Sequence, residues 1–455
     1  MIYHDSGKVT DLNIAYIGGG SRGWAWGLMS DLASEAKLNG TVRLYDIDSE
    51  AARHNEIIGN MYCDAKYVKS VWKYQAVPTL EAALTGADFV VGSILPGTFD
   101  EMESDVHAPE KYGIYQPVGD STGLGGILRA FRAIPMFLEI GEAVKQYAPN
   151  AWVINYTNPM TLCTRALYEA FPQIKAFGCC HEVMGVKGLL CAAVTNILDE
   201  DFPREEDLQI NVQGINHFTW INKASWRGMD LLPVYDKLID FCKENMDEEL
   251  RKAIGGHEVK FDLFRRYGAI AAAGDRHLVE FLPAWYLKDP QMVERWGYSL
   301  TTVASRKRGR EKRLAKSEAL RSGTEPLKVK RTSEEGVRQM KALLGIEPFV
   351  TNVNLPNIGQ LPNLPRGAVV ETNALFSSAG VTPLNAGEMQ WDIRILVDRV
   401  IHIQETVLKA VVTSDKELGF TAFINDPQMC LGLDDARTLY EEMIANTKQY
   451  IPWID

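Results

Sequence analysis

The chain has 455 residues, with 48 Lys+Arg against 59 Asp+Glu for a formal net charge of −11, and 46% of it is hydrophobic. That length suggests two or three domains with a full apolar core, and the mix of aliphatic and charged residues excludes general disorder. An acidic balance argues against a broad nucleic-acid surface, and no run approaches the ~20 apolar residues that cross a bilayer. The start, Met1-Ile2-Tyr3-His4-Asp5, lacks the basic and apolar regions of a secretion signal. Seven scattered cysteines, at 63, 163, 179, 180, 191, 242 and 430, form no disulfide pattern, so a reducing cytoplasm is the expected home.

In chain order, residues 12–17 form an apolar run that ends in Gly18-Gly19-Gly20-Ser21, and a helical stretch follows to Leu32. Further runs at 42–46, 87–94, 151–155 and 174–178 alternate with amphipathic stretches. Strand and helix in repetition predict an α/β fold, a Rossmann-like parallel sheet with helices on both faces, over residues 1–200. In such sheets the loops after the strand C-termini form the ligand crevice, which gathers 18–21, 93–96, 155–158 and 180–182 along one edge. From 201 to 455 the pattern loosens into a second, mixed α/β domain for substrate binding and assembly. Strands are expected there at 208–212 and 218–221, helix over most of 232–273, and helices again at 386–412 and 433–447. The one basic run, Arg306-Lys307-Arg308-Gly309-Arg310-Glu311-Lys312-Arg313, reads as a solvated helix face.

A strand ending in Gly18-x-Gly20-Ser21 before a helix, with Gly23 as the third glycine, lets backbone amides approach a pyrophosphate. Asp46 ends the second strand, where a carboxylate can accept hydrogen bonds from an adenosine ribose; this favours NAD, while Arg43 and Arg53 leave its 2′-phosphorylated form open. Cys180-His181-Glu182 follows a strand in the crevice, and Cys180 reads equally as a metal ligand, a nucleophile or a packed small residue. His217, in Gly214-Ile215-Asn216-His217-Phe218, lies between apolar runs, where a satisfied core imidazole is the commoner outcome. A metal held by only these two side chains would keep positions open for substrate oxygens. Gly274-Asp275-Arg276-His277 is either a surface ion pair at a helix end or a base beside an anion-binding arginine.

Taken in order, several motifs resemble glycoside hydrolase family 4, the NAD- and manganese-dependent glycosidases, over nearly the whole chain. They are the turn at 18–21, Asp120-Ser121-Thr122-Gly123-Leu124-Gly125-Gly126, Asn155-Tyr156-Thr157-Asn158-Pro159, Cys180-His181-Glu182-Val183, Gly214-Ile215-Asn216-His217, and Asn357-x-Gly359…Leu364-Pro365…Val370-Glu371. The resemblance implies a lactate/malate-dehydrogenase-like nucleotide domain, commonly in dimers or tetramers, with NAD and Mn2+ as cofactors and the ion on Cys180 and His217. It implies Asn158 and Asn155 in the sugar pocket, and His181 as the acid at the leaving group. It also implies Asp275 as the base, in place of the tyrosine of the phosphosugar branch. Cys-His-Glu-Val resembles the subgroup that acts on α-galacturonides, whereas α-galactosidase and α-glucuronidase members carry Ser or Gly at the position of Glu182. Four carboxylates and no arginine in the 98–105 loop are expected to repel a sugar phosphate. Arg276 is the candidate grip on a uronate carboxylate, and Glu182 is given a supporting role that orients His181 or the ion. The implied chemistry is hydrolysis through oxidation at sugar C3, deprotonation at C2, elimination at C1, water addition and re-reduction. A hydroxy-acid dehydrogenase or a non-enzymatic NAD sensor would account for the glycine turn but would leave Cys180 and His217 idle.

Overall fold

The computed structural model describes residues 1–244 and 256–454, so 245–255 of the expected helical region 232–273 lie outside the described residues. Six parallel strands form the centre of the main sheet, in the spatial order Lys175–Gly178, Trp152–Asn155, Phe89–Gly92, Val9–Ile17, Leu38–Tyr45, Trp72–Ala76. This is a doubly wound order whose switch point lies between Val9–Ile17 and Phe89–Gly92. Apolar runs become strands here because both faces are covered. Ala15 and Ile17 enter the cluster beneath the helix Gly123–Tyr147, while Ile14 and Tyr16 enter the opposite one with Trp24–Ser34. The expected α/β class is the observed one. Trp72–Ala76 escaped the sequence reading because it is an edge strand with interleaved Lys73 and Gln75, not an apolar run.

The chain later returns to this sheet. Phe349–Pro356 pairs antiparallel with Lys175–Gly178, and Val369–Ser377 and Gly380–Pro383 follow outward. Their polar interior residues, Thr351, Asn352, Asn354 and Glu371, are all buried and mask the strand pattern in the sequence. A smaller antiparallel sheet is built on the hairpin Leu208–Ile215 and Phe218–Trp226. The helices Leu232–Glu244, Glu258–Tyr267, Trp391–Thr413 and Leu433–Thr447 fall where helix was expected. The basic run lies in Val303–Arg321, exposed over most of its length, with Lys307 paired to Asp100 at 2.8 Å and Glu103 at 3.3 Å. Among the described residues no helix is long and apolar enough to cross a membrane, and all seven cysteines are free.

Candidate functional site

At the switch point Gly18 has a φ of +89°, and a Cβ there would meet the Ser93 carbonyl oxygen at 2.0 Å, so glycine alone fits. The next amides are used to shape the turn: Gly19 donates to Tyr45 O at 2.8 Å, Ser21 to Gly18 O at 2.9 Å, and Gly20 to Asp46 Oδ2 at 2.8 Å. Asp46 therefore also braces the glycine turn, and burial raises its pKa. Asn55 locks the same turn, donating to Gly19 O at 2.7 Å and Ser21 O at 3.0 Å and accepting from the Trp26 indole at 2.8 Å. An asparagine inside an amphipathic helix gives no sequence signal for that. Gly23 precedes Trp24–Ser34 without a side-chain cap, so the first-turn amides stay open to an anion. That backbone fits a pyrophosphate. Arg43 is spent on Ala82 O at 3.0 Å and Thr85 O at 2.7 Å.

Beside the turn opens a cleft of about 310 Å³, lined by Trp24, Asp120, Asn158, Cys180, His181, Glu182, His217, Arg276 and His277 among others. The structure thus brings Cys180 and His217 into one space. His217 occupies the two-residue turn of the 208–226 hairpin at a φ of +62°, the left-handed conformation such turns require. The preceding Asn216 donates to Glu371 Oε2 at 3.2 Å, which ties the hairpin tip to the main sheet. Ser121 Oγ gives its single proton to Asp120 Oδ1 at 2.7 Å, so at 3.1 Å it accepts from His217 Nδ1–H, and Nε2 keeps its lone pair. Burial, then His277, pushes His217 down to about 3. Donor atoms of Asp120, His217 and His277 all lie within 4.8 Å of one another. Burial raises Asp120, but His277, Arg129 and His217 outweigh it and hold the carboxyl at about 2. An ionised carboxylate with imidazole nitrogens fits a divalent ion such as manganese. Cys180 lines the cleft without joining that group; burial and Glu371 raise its thiol well above the ordinary range, against hydrogen bonds from the Glu182 amide and Asn216.

Glu182 accepts from the Gly274 amide at 2.9 Å, which joins the start of its helix to the 274–277 turn. Burial opposes its charge, yet His217 and His277 bring its pKa below the usual value. His181 meets Glu334 Oε1 at 2.9 Å, and that bond raises the imidazole. Trp24 is exposed, with its ring 5.5 Å from Tyr156 and 6.4 Å from His181. Among the described residues, Asn158 has a buried Oδ1 without a partner, and Arg276 and His277 likewise have unpartnered buried nitrogens, Nε and Nδ1. Glu334, Trp24 and His277 were not assigned roles in the sequence, because no short motif links them to Cys180.

Three expectations are corrected. Asp275 does not line the cleft: its carboxylate accepts from the amides of Val259 at 2.9 Å and Lys260 at 3.2 Å, at the start of Glu258–Tyr267. It opens the short helix Asp275–Leu278, and Arg276 and His277, the next residues on that turn, face the cleft instead. Asn155 is also turned away, bonded to Thr157 in the loop that follows and to Thr164 in the helix Met160–Ala170. The carboxylates of 98–105 are engaged elsewhere: Glu101 caps Phe99–His107 with Thr98, Asp105 is buried against Arg132, and Asp100 and Glu103 meet Lys307. None lines the cleft, so its wall carries none of these four carboxylates. A larger concavity of about 520 Å³ near Trp453 has Glu169 as its one ionisable lining residue.

The model for family 4 glycosyl hydrolases matches residues 13–196, and that for the family's C-terminal domain matches 212–429. The chain is similar to an α-galacturonidase of Thermoanaerobacterium saccharolyticum, at 56% identity over 99% of this chain and 98% of that one. It is also similar to the crystal structure of lplD from Bacillus subtilis, with 48% identity and a TM-score of 0.90, covering 96% and 100% of the two chains. A structure of the 6-phospho-beta glucosidase from Thermotoga maritima with manganese, NAD+ and glucose-6-phosphate shares the fold, at 22% identity and a TM-score of 0.78, covering 96% and 99%.

Proposed function

The chain belongs to family 4 of the glycosyl hydrolases, and on that premise we propose that it hydrolyses α-galacturonides with NAD and Mn2+ as cofactors. One observation carries the reading: a single cleft holds a donor group for a divalent ion, a histidine paired with a carboxylate, and an arginine unpaired among the described residues. The 56% identity to an α-galacturonidase supports the substrate. The cofactors of the Thermotoga maritima relative match what the donor set and the open helix terminus can hold.

Asp120, His217 and His277 would hold the ion, with Cys180 alongside, while the first-turn amides of Trp24–Ser34 and Asp46 would hold the dinucleotide. Bound there, the two groups supply a hydride carrier for sugar C3 and a Lewis acid for the neighbouring sugar oxygens. The chain's own side chains do the remaining work. Asn158 Oδ1, unpartnered in the cleft wall, accepts a hydrogen bond from a sugar hydroxyl. Arg276 takes the C6 carboxylate. Glu182, with one oxygen held by the Gly274 amide and the other free among the described residues, removes the proton at C2, the role expected of Asp275. His181, whose pKa the Glu334 hydrogen bond raises, donates to the departing C1 oxygen.

With NAD, Mn2+ and a reductant, the protein should release p-nitrophenol from p-nitrophenyl α-galacturonide without net NADH, and solvent deuterium should appear at C2 of the product. Steady accumulation of NADH would mark a dehydrogenase instead. Full retention of the C2 hydrogen would remove the elimination route.

A further inference from the structure

We infer that Arg306 and Arg276 together form a two-guanidinium site for the C6 carboxylate of the sugar; the inference rests on the uronide reading above. Arg306 belongs to the basic run that the sequence assigns to a solvated helix face, and its neighbours Arg308 and Arg310 are indeed exposed. It sits in the first turn of Val303–Arg321, after the Thr302 cap, and turns inward to line the cleft beside Arg276 and Thr301. Its Nη2 donates to Val118 O at 3.1 Å, which fixes the side chain, while its Nε is buried without a partner.

Arg276 reaches the same wall from the turn after Gly274 and, among the described residues, makes no hydrogen bond or ion pair; its Nε too is buried and unpartnered. Both side chains line that one cleft, which gathers two guanidinium groups around a single space. Glu182 and Asp120 line the same cleft, and among the described residues neither they nor Glu280 pairs with either arginine. The Glu280 Oε1 is already held by the amides of Val118 at 2.7 Å and Gly119 at 2.8 Å. Lys307, next along the helix, is drawn outward by Asp100 and Glu103.

Two partly desolvated cations with unused donors are unfavourable unless an anion lies between them. A carboxylate in that position accepts planar, charge-assisted hydrogen bonds from both and removes the repulsion. The carboxylates of Glu182 and Asp120 in the same cleft favour a monoanion over a phosphate dianion. Of the basic residues at 306–313, Arg306 is the one that lines the cleft.

The test compares Arg306→Gln and Arg306→Lys with the parent on p-nitrophenyl α-galacturonide and α-galactoside, alongside equilibrium binding of galacturonate, galactose and galactose 6-phosphate. Arg306→Gln should lower the galacturonide-over-galactoside ratio of kcat/KM, and the galacturonate-over-galactose ratio of affinity, by about 10- to 100-fold. The kinetic loss should fall on KM, and Arg306→Lys should recover part of it. Equal losses on both sugars would indicate a brace only and overturn the inference, as would an unchanged ratio. Tighter binding of galactose 6-phosphate than of galacturonate would overturn the carboxylate assignment. If the parent cleaves no galacturonide, the functional reading fails on its own. The binding ratios then decide the arginine pair, and equal affinity of the parent for galacturonate and galactose would overturn it.

Discussion

Substituting Asp275→Asn distinguishes a helix-capping carboxylate from a catalytic base. Burial raises the carboxyl from its ordinary 3.8 to about 7, against the pull of Lys260 and the amides of Val259 and Lys260. Between those values the folded chain keeps a proton that the unfolded chain has released. Stability therefore falls as pH rises through the window. Most of the window lies between about pH 5 and pH 7, and at about 1.4 kcal/mol per tenfold the loss from pH 5 to pH 8 is about 3 kcal/mol. Asparagine does not titrate, and it can accept from only one of the two amides, which costs about 1–2 kcal/mol at every pH. The variant should be less stable than the parent near pH 5 and should equal or exceed it near pH 8. Urea unfolding of the metal-free protein, followed by tryptophan fluorescence at both pH values, measures this difference, and groups that titrate alike in the two proteins cancel. As a cap, Asp275 should leave kcat within about tenfold of the parent; as the base, its loss should cost about 10²- to 10⁴-fold. Parallel stability profiles together with a collapse of kcat at normal Mn2+ affinity would return the base to Asp275.

Glu182→Gln should lower kcat by about 10²- to 10⁴-fold and abolish solvent deuterium at C2, with Mn2+ affinity changed by less than about tenfold; retained exchange would rule Glu182 out as the base. His277→Ala should weaken Mn2+ binding, read by electron paramagnetic resonance, by more than about 100-fold and Cys180→Ser by about tenfold. That order follows from the donor group of Asp120, His217 and His277, and the reverse order would refute it. Glu334→Gln removes the carboxylate that raises His181, so the acid form is lost at lower pH and the alkaline limb of kcat should move down the pH scale. An unmoved limb would separate the two residues.

The sequence made the parallel sheet legible because its central strands are apolar on both faces, and a Gly-rich turn directly after the first strand placed the switch point. The C-terminal strands were not legible, since Asn352, Asn354 and Glu371 are buried to serve one another and the Cys180 loop, with Asn352 donating to Glu371 and to Cys180 O. Polar strands of that kind look like loop in one dimension. The site shows the same division. Cys180, His181, Glu182 and His217 stood out as chemistry-bearing types after strands or at a hairpin, whereas their partners Asp120, His277 and Glu334 come from distant segments that only the fold assembles. Asp275 shows why residue type alone misleads: it shares its turn with two cleft residues, yet it satisfies the amides of a neighbouring helix.

This placement also explains why the second half of the chain is needed to complete the first. The glycine turn is held by local contacts such as Asn55 to Gly19 and Gly20 to Asp46. The reactive end of the cleft has no such local support. His217 is carried on a hairpin whose tip is tied by Asn216 to Glu371, a residue of a strand that extends the main sheet. Glu182 spans the same junction by holding the Gly274 amide. A change that loosens either tie would displace the metal donors while leaving the glycine turn intact. Glu371→Gln therefore is expected to weaken Mn2+ binding while preserving NAD binding, measured by separate titrations, and a parallel loss of both would contradict the division of labour between the two ends of the cleft.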